Sequence, residues 1–122
     1  MRLLLNAIKC LHCQDIIASR HQHEFKSCKC GKVAVDGGLA YKRRVGHLDL
    51  IQERCGYEWD PKVARSGDAA GKYIVWSPGG KTNPAMIFDC QEDAALSAIQ
   101  LAVKVPVSDW YVAQLTHVPV AR

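Results

Sequence analysis

CLHC at residues 10–13 is followed, after fourteen residues, by CKCG at residues 28–31, and these two cysteine pairs decide the fold of the first part of the chain. A short turn between paired cysteines aims both thiolates at one point, and tetrahedral zinc takes four such ligands at about 2.3 Å. The one-residue gap in the second pair is less common, and Gly31 beside it permits an unusual backbone angle. The spacing predicts one structural Zn²⁺ site. Its ligands are Cys10, Cys13, Cys28 and Cys30.

The same four thiols have alternative uses, namely two disulfides, an iron–sulfur cluster, or a redox-active pair at Cys10 and Cys13. No export signal is recognisable, so we expect a reducing, cytoplasmic compartment, where disulfides are rare. The βαβ pattern that usually accompanies a redox-active pair is missing. Zinc is therefore the interpretation we favour, and a closed four-thiolate site without an open coordination position gives it a structural role.

Other candidate ligands are weaker. Three histidines, His12, His21 and His23, lie close to the cysteine pairs in sequence. They could replace a cysteine ligand, but four thiolates already complete the site, and we expect His21 and His23 to be exposed in a turn. Cys55 and Cys90 are single and distant, which is typical of small buried apolar residues.

Residues 1–46 are predicted to form an all-β zinc ribbon, because nothing in them has helical periodicity. The predicted strands are residues 2–8, 15–19, 24–27, 32–35 and 41–45. Asp36-Gly37-Gly38 predicts a tight turn between the last two strands, since glycine accepts positive φ without steric cost. Residues 47–71 scatter glycines and a proline among charges, with a weak helical pattern at 48–54, and are interpreted as a connector.

Residues 72–122 predict a small β-β-α-β unit, so the fold class is α+β. Strands are expected at 73–77, 85–88 and 108–118, with a hairpin loop at 78–84. The helix is expected at Gln91–Lys104, with Asp89 as N-cap and Pro106 ending it. Trp76 and Trp110 are expected in the core or at its rim. The predicted apolar stripe of the helix is Ala95, Ala98, Ile99, Ala102 and Val105.

The net charge of +4 is distributed unevenly. Residues 1–46 carry nine Lys and Arg against three Asp and Glu, whereas residues 47–122 carry seven against nine. This basic half permits phosphate contact but lacks the dense stripe of a dedicated nucleic-acid binder. Phe25 or Tyr41 is available to stack a base, and a solvated charged face is the alternative interpretation. The candidate phosphate contacts are Lys26, Lys29, Lys32, Lys42, Arg43 and Arg44.

Catalytic and membrane functions have little support in the sequence. No spacing pairs a nucleophile with a base, and no glycine-rich loop matches a phosphate site, so we expect no enzyme activity. The longest apolar stretches are too short to span a bilayer.

A family resemblance covers residues 6–45. Both cysteine pairs and the turn at residues 36–38 resemble a family of small zinc-ribbon proteins of phages and their bacterial hosts. The resemblance implies a phage or prophage origin and the same four cysteine ligands, but it implies no reaction. Gln14 stands where the family often has a glycine after the second cysteine.

The leading functional hypothesis is a noncatalytic, phage-type zinc-binding protein in the host cytoplasm. Its partner would be a host protein or ribonucleoprotein complex, such as a bacterial defence complex, CRISPR included, or the transcription machinery. The alternative is a zinc ribbon that binds nucleic acid. An exposed edge strand in the β-β-α-β unit could also pair two chains into a dimer.

Overall fold

The computed structural model describes residues 2–59, 69–77, 86–105 and 109–116. The chain divides into two compact units, Arg2–Gly56 and Tyr57–Arg122. Within the described residues, the elements follow one another in this order: β1 (Leu3–Cys10), β2 (Ile16–Ser19), β3 (Lys26–Ser27), β4 (Val33–Asp36), β5 (Arg43–Gly46), a 3-10 turn (Leu48–Leu50), β6 (Ile51–Glu53), β7 (Gly56–Glu58), β8 (Tyr73–Trp76), β9 (Met86–Phe88), α1 (Gln91–Lys104) and β10 (Tyr111–Gln114). The mixture of antiparallel strands with one described helix confirms an α+β fold.

The N-terminal unit contains two antiparallel groups of strands. In the first, β1 pairs with β2, placing Ala7 opposite Ala18, and also with β6, placing Cys10 opposite Ile51. In the second, β4 lies between β3 and β5. Side chains alternate between the faces of a strand, so one face of β1 supplies a core that also includes residues of β4. The buried core residues are Ile8, Cys10, Cys28, Val33 and Val35.

Asn6 fixes the glycine turn against β1. This fully buried side chain donates through Nδ2 to the carbonyls of Asp36 at 3.1 Å, Gly38 at 2.9 Å and Tyr41 at 3.2 Å. Gly37 has φ 108°, and a Cβ there would lie 2.1 Å from the Tyr41 carbonyl oxygen. The turn therefore requires glycine for space as well as for its backbone angle.

The C-terminal unit places α1 against an antiparallel sheet in which β8 lies between β9 and β10. Ala94 and Ala98 of the helix are buried in a core with Val75 and Phe88. Small alanine side chains allow the helix axis to approach the strands closely. Among the described residues, no helix is long and apolar enough to cross a membrane.

Several predicted elements are confirmed. The helix occupies Gln91–Lys104 as expected. Each predicted strand coincides with an observed one, although the bounds differ by one or more residues at most ends. Trp110 packs against the core of the C-terminal unit. Trp76 is 41% exposed, and its ring centroid lies 5.5 Å from that of Tyr111. The loop at 78–84, Pro106 and the ends of the last predicted strand, including 117–118, lie outside the described residues.

Two predictions about the helix are wrong. The N-cap is Cys90, not Asp89, because the Asp89 carboxylate accepts bonds from Tyr57 Oη at 3.1 Å and Lys72 Nζ at 2.5 Å. The buried stripe is also rotated, since Ala94 is fully buried whereas Ile99 is 61% exposed. The helix carries apolar side chains on its exposed side as well as on its buried side, so their periodicity alone does not identify the buried face.

The weak helical pattern at 48–54 was also misleading. Leu48–Leu50 forms a single 3-10 turn, and Ile51–Glu53 then pairs with β1 as β6. Pairing with β1 therefore outweighs the weak helix propensity of these residues. The segment interpreted as a connector, 47–71, thus contains β6 and β7, while residues 60–68 lie outside the described part.

Candidate metal centre

The first cysteine pair lies on the hairpin between β1 and β2. Cys10 is the last residue of β1, and its N–H donates to the Asp15 carbonyl at 2.9 Å. The N–H of Gln14 donates to the Cys10 carbonyl at 2.8 Å, which closes a turn around Cys13. Local backbone bonds therefore position both sulfur ligands.

The second pair lies in the turn that precedes β4. The N–H of Cys28 donates to the Val33 carbonyl at 3.1 Å, and the N–H of Gly31 donates to the Cys28 carbonyl at 3.0 Å. These bonds close a turn around Cys30, much as the first turn closes around its own second cysteine. The two cysteine turns belong to different strands, and Cys10 and Cys28 meet in the core that β1 and β4 share.

The residue after the second cysteine of each pair has a left-handed backbone. Gly31 has φ 74° and Gln14 has φ 65°. Among the described residues, Gln14 is the one non-glycine residue whose φ is positive. The Gln14 side chain donates to the Leu11 carbonyl at 2.8 Å across its own turn. Glycine is favoured at such a position because it has no Cβ to clash, which explains why Gln14 is the less favourable residue there.

The four sulfurs converge. Each Sγ of Cys10, Cys13, Cys28 and Cys30 lies within 4.8 Å of the others. The Sγ atoms of Cys10 and Cys30 are 3.7 Å apart, and those of Cys28 and Cys30 are 3.4 Å apart. Sulfurs bound to one tetrahedral ion at about 2.3 Å would lie about 3.8 Å apart, whereas a disulfide needs about 2.05 Å. None of the six cysteines, all of which lie within the described residues, forms a disulfide, and the cluster could hold a metal ion.

Backbone N–H groups favour the thiolate form at two of these sulfurs. The N–H of Asp15, together with that of Cys30, lowers the pKa of Cys13. Burial raises the pKa of Cys28, but the N–H of Val33 and the neighbouring thiols outweigh it and bring this pKa to about 6. Metal ligands must be deprotonated, so these bonds favour the ligand form of the cluster.

The fourth sulfur shows how crowded the cluster is. The N–H of Lys32 lowers the pKa of Cys30, yet burial and the three neighbouring thiols raise it to about 12. Thiolates this close together repel one another, so the neighbouring sulfurs disfavour a negative charge on Cys30. A divalent cation would neutralise the negative charge of the thiolates. The four sulfur donors therefore fit a metal ion that prefers thiolate ligands.

The cluster connects the core to the surface. Cys10 is fully buried and Cys28 is 5% exposed, and both belong to the N-terminal core. Cys13 is half-buried and Cys30 is exposed. All four coordination positions of a tetrahedral ion would be filled by sulfur, which leaves none for a substrate or water.

The three histidines near the cysteine pairs do not join the cluster, and the prediction that His21 and His23 are exposed is confirmed. His12, His21 and His23 are exposed, and none of them belongs to the group formed by Cys10, Cys13, Cys28 and Cys30. Cys55 and Cys90 are both buried, in agreement with their interpretation as small core residues. Cys90 is the helix N-cap, and Cys55 lies beside a buried guanidinium.

Five of the six candidate phosphate contacts point to solvent. The exposed ones are Lys26, Lys29, Lys32, Lys42 and Arg43. Arg43 lies 3.6 Å from the Asp36 carboxylate, but its own side chain remains 63% exposed. The structure therefore leaves these five cations of the N-terminal unit accessible to solvent.

Arg44 has a different role. Its guanidinium donates to both carboxylate oxygens of Glu53 at 2.8 and 2.7 Å, to Asn6 Oδ1 at 2.7 Å and to Cys55 Sγ at 3.1 Å. The side chain is only 11% exposed. The ion pair with Glu53 raises the pKa of Arg44 against the effect of burial. Sequence reasoning missed this network, because Glu53 lies in the segment interpreted as a connector.

A scan against protein families matches residues 2–46 to a family described as "Domain of unknown function (DUF7695)". Comparisons with curated proteins and with solved structures each gave no match. The matched residues contain both cysteine pairs, the glycine turn and Arg44, so the match covers the cluster and most of the N-terminal unit.

Proposed function

We propose that the N-terminal unit is a structural zinc module of zinc-ribbon type. The observation that carries the proposal is the convergence of four free thiols, with sulfur separations of 3.4 and 3.7 Å between neighbours. An all-sulfur set that fills a tetrahedron is typical of structural zinc. Zinc binding by such sites contributes about 10–16 kcal/mol at neutral pH, comparable to or greater than the net stability of a small domain.

The chain as a whole is proposed to act as a noncatalytic binding protein of phage type. A closed zinc module leaves no coordination position for chemistry, and the family match over residues 2–46 is to a family of unknown function. A small chain with a metal-stabilised surface suits attachment to a larger assembly. The proposed partner is a host protein or ribonucleoprotein complex of bacterial defence, such as a CRISPR complex, or of transcription.

Affinity capture tests this proposal. Zinc-loaded protein is immobilised and exposed to bacterial host lysate, beside Cys28→Ser, which removes a ligand, and Cys90→Ser, which makes the same change outside the cluster. We expect one host complex to be recovered at stoichiometric amounts by the wild type and by Cys90→Ser, and to be lost with Cys28→Ser. Recovery of no protein at stoichiometric level by the wild type would contradict the proposal.

Nucleic-acid binding is the second candidate, favoured by the five exposed cations of the N-terminal unit. Phosphate contacts release counterions, so affinity would fall steeply as salt rises. Fluorescence anisotropy with a labelled single-stranded oligonucleotide, titrated at several salt concentrations, tests it. A steep negative slope that flattens in the double variant Lys29→Glu/Lys42→Glu supports it, and negligible affinity at low salt rejects it.

A further inference from the structure

A groove of about 500 Å³ runs over the outer face of the β1–β2 pair in the N-terminal unit. Ala7 lies directly opposite Ala18 across the two strands, on the face turned away from the Ile8 and Ile17 side chains. Cross-strand partners share a face, and the short side chains of two alanines side by side leave a depression, in which Ala7 itself is only 3% exposed. Leu5 and Ile16 border this depression, and Ile16 is 55% exposed.

The rim of the groove is charged on one side. Arg20 and Lys26 are exposed cations that line it, and Glu24 is the acid between them. The Glu24 carboxylate already accepts the Arg20 N–H at 2.8 Å, which commits one of its oxygens to the local turn. The rim therefore carries a net positive charge beside an aliphatic floor.

The edge of β2 adds a third feature. In the sheet that contains β1, β2 is the terminal strand, and none of the described residues pairs with its outer edge. Two side-chain bonds bound this edge, from Ser19 Oγ to the Glu24 carbonyl at 2.7 Å and from the Lys29 N–H to Asp15 Oδ2 at 3.1 Å. Backbone groups of an open edge are able to bind an extended segment.

We infer that this groove binds an extended peptide segment of a partner protein that presents an aliphatic side chain next to an Asp or Glu. The aliphatic side chain would fill the depression at Ala7 and Ala18, and the carboxylate would pair with Arg20 and Lys26. The inference rests on the proposed binding function and names the chemistry of the partner.

Nucleic acid fits this groove less well. None of its lining residues, all within the described part of the chain, is aromatic, so no ring is available for a base to stack on. The volume falls in the range of ligand-binding clefts, roughly 300–1,000 Å³, and the five aliphatic residues among its eight lining residues offer contacts to an apolar side chain.

Peptide selection followed by titration tests the inference. A random peptide display library is selected on zinc-loaded full-length protein, and the enriched peptides are synthesised. Their affinities are then measured for the wild type, Ala18→Leu, Lys26→Glu and Lys104→Glu. The Leu variant fills the depression, the Lys26 variant reverses a rim charge, and the Lys104 variant makes the same charge change on α1. Zinc content and circular dichroism check that each variant folds.

We expect enriched peptides that combine Leu, Ile or Val with Asp or Glu. Their affinity should fall at least about tenfold for Ala18→Leu and for Lys26→Glu, and should stay within about twofold for Lys104→Glu. Should Ala18→Leu fail to fold, Lys26→Glu alone decides the outcome. Enrichment of no peptide, equal affinity for wild type and rim variant, or self-association of the wild type that Ala18→Leu abolishes would overturn the inference.

The binding function and the peptide groove can be rejected independently of each other. A host complex that is captured equally well by wild type, Ala18→Leu and Lys26→Glu would reject the groove and leave the binding function standing. Groove-dependent peptide binding without any stoichiometric host partner would support the groove and reject the proposed host function.

Discussion

Gln14 and Gly31 occupy equivalent positions in the two cysteine turns, each directly after the second cysteine, with φ of 65° and 74°. A left-handed backbone costs a residue with a Cβ roughly 1–2 kcal/mol, from which glycine is spared. The turn that contains Gly31 therefore has the favourable residue, and the turn that contains Gln14 retains backbone strain.

This relationship predicts opposite effects of two substitutions. Gln14→Gly should raise the free energy of unfolding by about 0.5 kcal/mol, because relief of strain is partly offset by the greater freedom of glycine in the unfolded chain. Gly31→Ala should lower it by about 1 kcal/mol through backbone strain alone, since an added Cβ would meet nothing within 4 Å. Urea denaturation of the zinc-loaded proteins measures both. Destabilisation by Gln14→Gly would show that its side-chain bond to Leu11 outweighs the strain.

Asn6 is predicted to be indispensable to the N-terminal unit. Asn6→Ala would leave the buried carbonyls of Asp36 and Gly38 without their donor and deprive Arg44 of an acceptor. Unpaired buried groups cost about 1–3 kcal/mol each, so we expect a loss of about 3 kcal/mol in total. Urea denaturation with the exposed Gln22→Ala as control checks this. A loss below about 1 kcal/mol would contradict the assigned role.

Glu53 should make the stability depend on pH. Burial raises the pKa of Glu53, but its bonds to Arg44 outweigh that effect and leave the pKa below the ordinary value of 4.5. A lowered folded-state pKa means that the stabilisation is present above about pH 4.5 and is lost as pH falls through the folded value. Because the Glu53 side chain is 42% exposed, we expect only about 1 kcal/mol from the pair at pH 7.

Comparison of Glu53→Gln with the wild type isolates this contribution. Zinc release at low pH affects both proteins, so they are compared at pH values where both still hold zinc and remain folded. The difference should be largest at neutral pH and should shrink as the pH falls below about 4.5. A difference that stays constant from pH 7 to pH 3 would rule out the charged pair as its source.

The helix N-cap provides a fourth prediction. Cys90 makes no side-chain cap bond, so the first turn of α1 lacks the acceptor that Ser would supply. Cys90→Ser should be more stable than Cys90→Ala by about 1 kcal/mol, since both lose the sulfur but only Ser caps the helix. Thermal or urea denaturation of the pair measures this. Equal stability of the two variants would show that the backbone begins the helix differently.

The fold was predictable where local signals were strong. Cysteine turns, a glycine turn and alternating strands each require only neighbouring residues, and α1 is long enough for its periodicity to be clear. The buried stripe of α1 was not predictable, because Leu96, Ile99 and Val103 make its outer face apolar as well. Strand β6 depends on pairing with β1, which sequence periodicity over three residues does not reveal.

The candidate site was predictable in its ligands but not in its surroundings. Spacing alone brought the four cysteines together as candidates, and the structure places their sulfurs within 4.8 Å. Arg44 looked like one more surface cation, because its partners Asn6 and Glu53 are far from it in sequence. Asp89 looked like a cap for the same reason, since Tyr57 and Lys72 engage its carboxylate through tertiary contacts.

The metal content of the purified, reduced protein decides whether the four cysteines hold zinc. Inductively coupled plasma mass spectrometry should find one zinc per chain in the wild type and in Cys55→Ser and Cys90→Ser, because neither residue belongs to the cluster. Cys28→Ser should lose most of the zinc, and the circular dichroism of the N-terminal unit should change with it. A wild type without bound metal, or a Cys28→Ser variant that keeps both its zinc and its fold, would contradict a structural zinc site at these four cysteines.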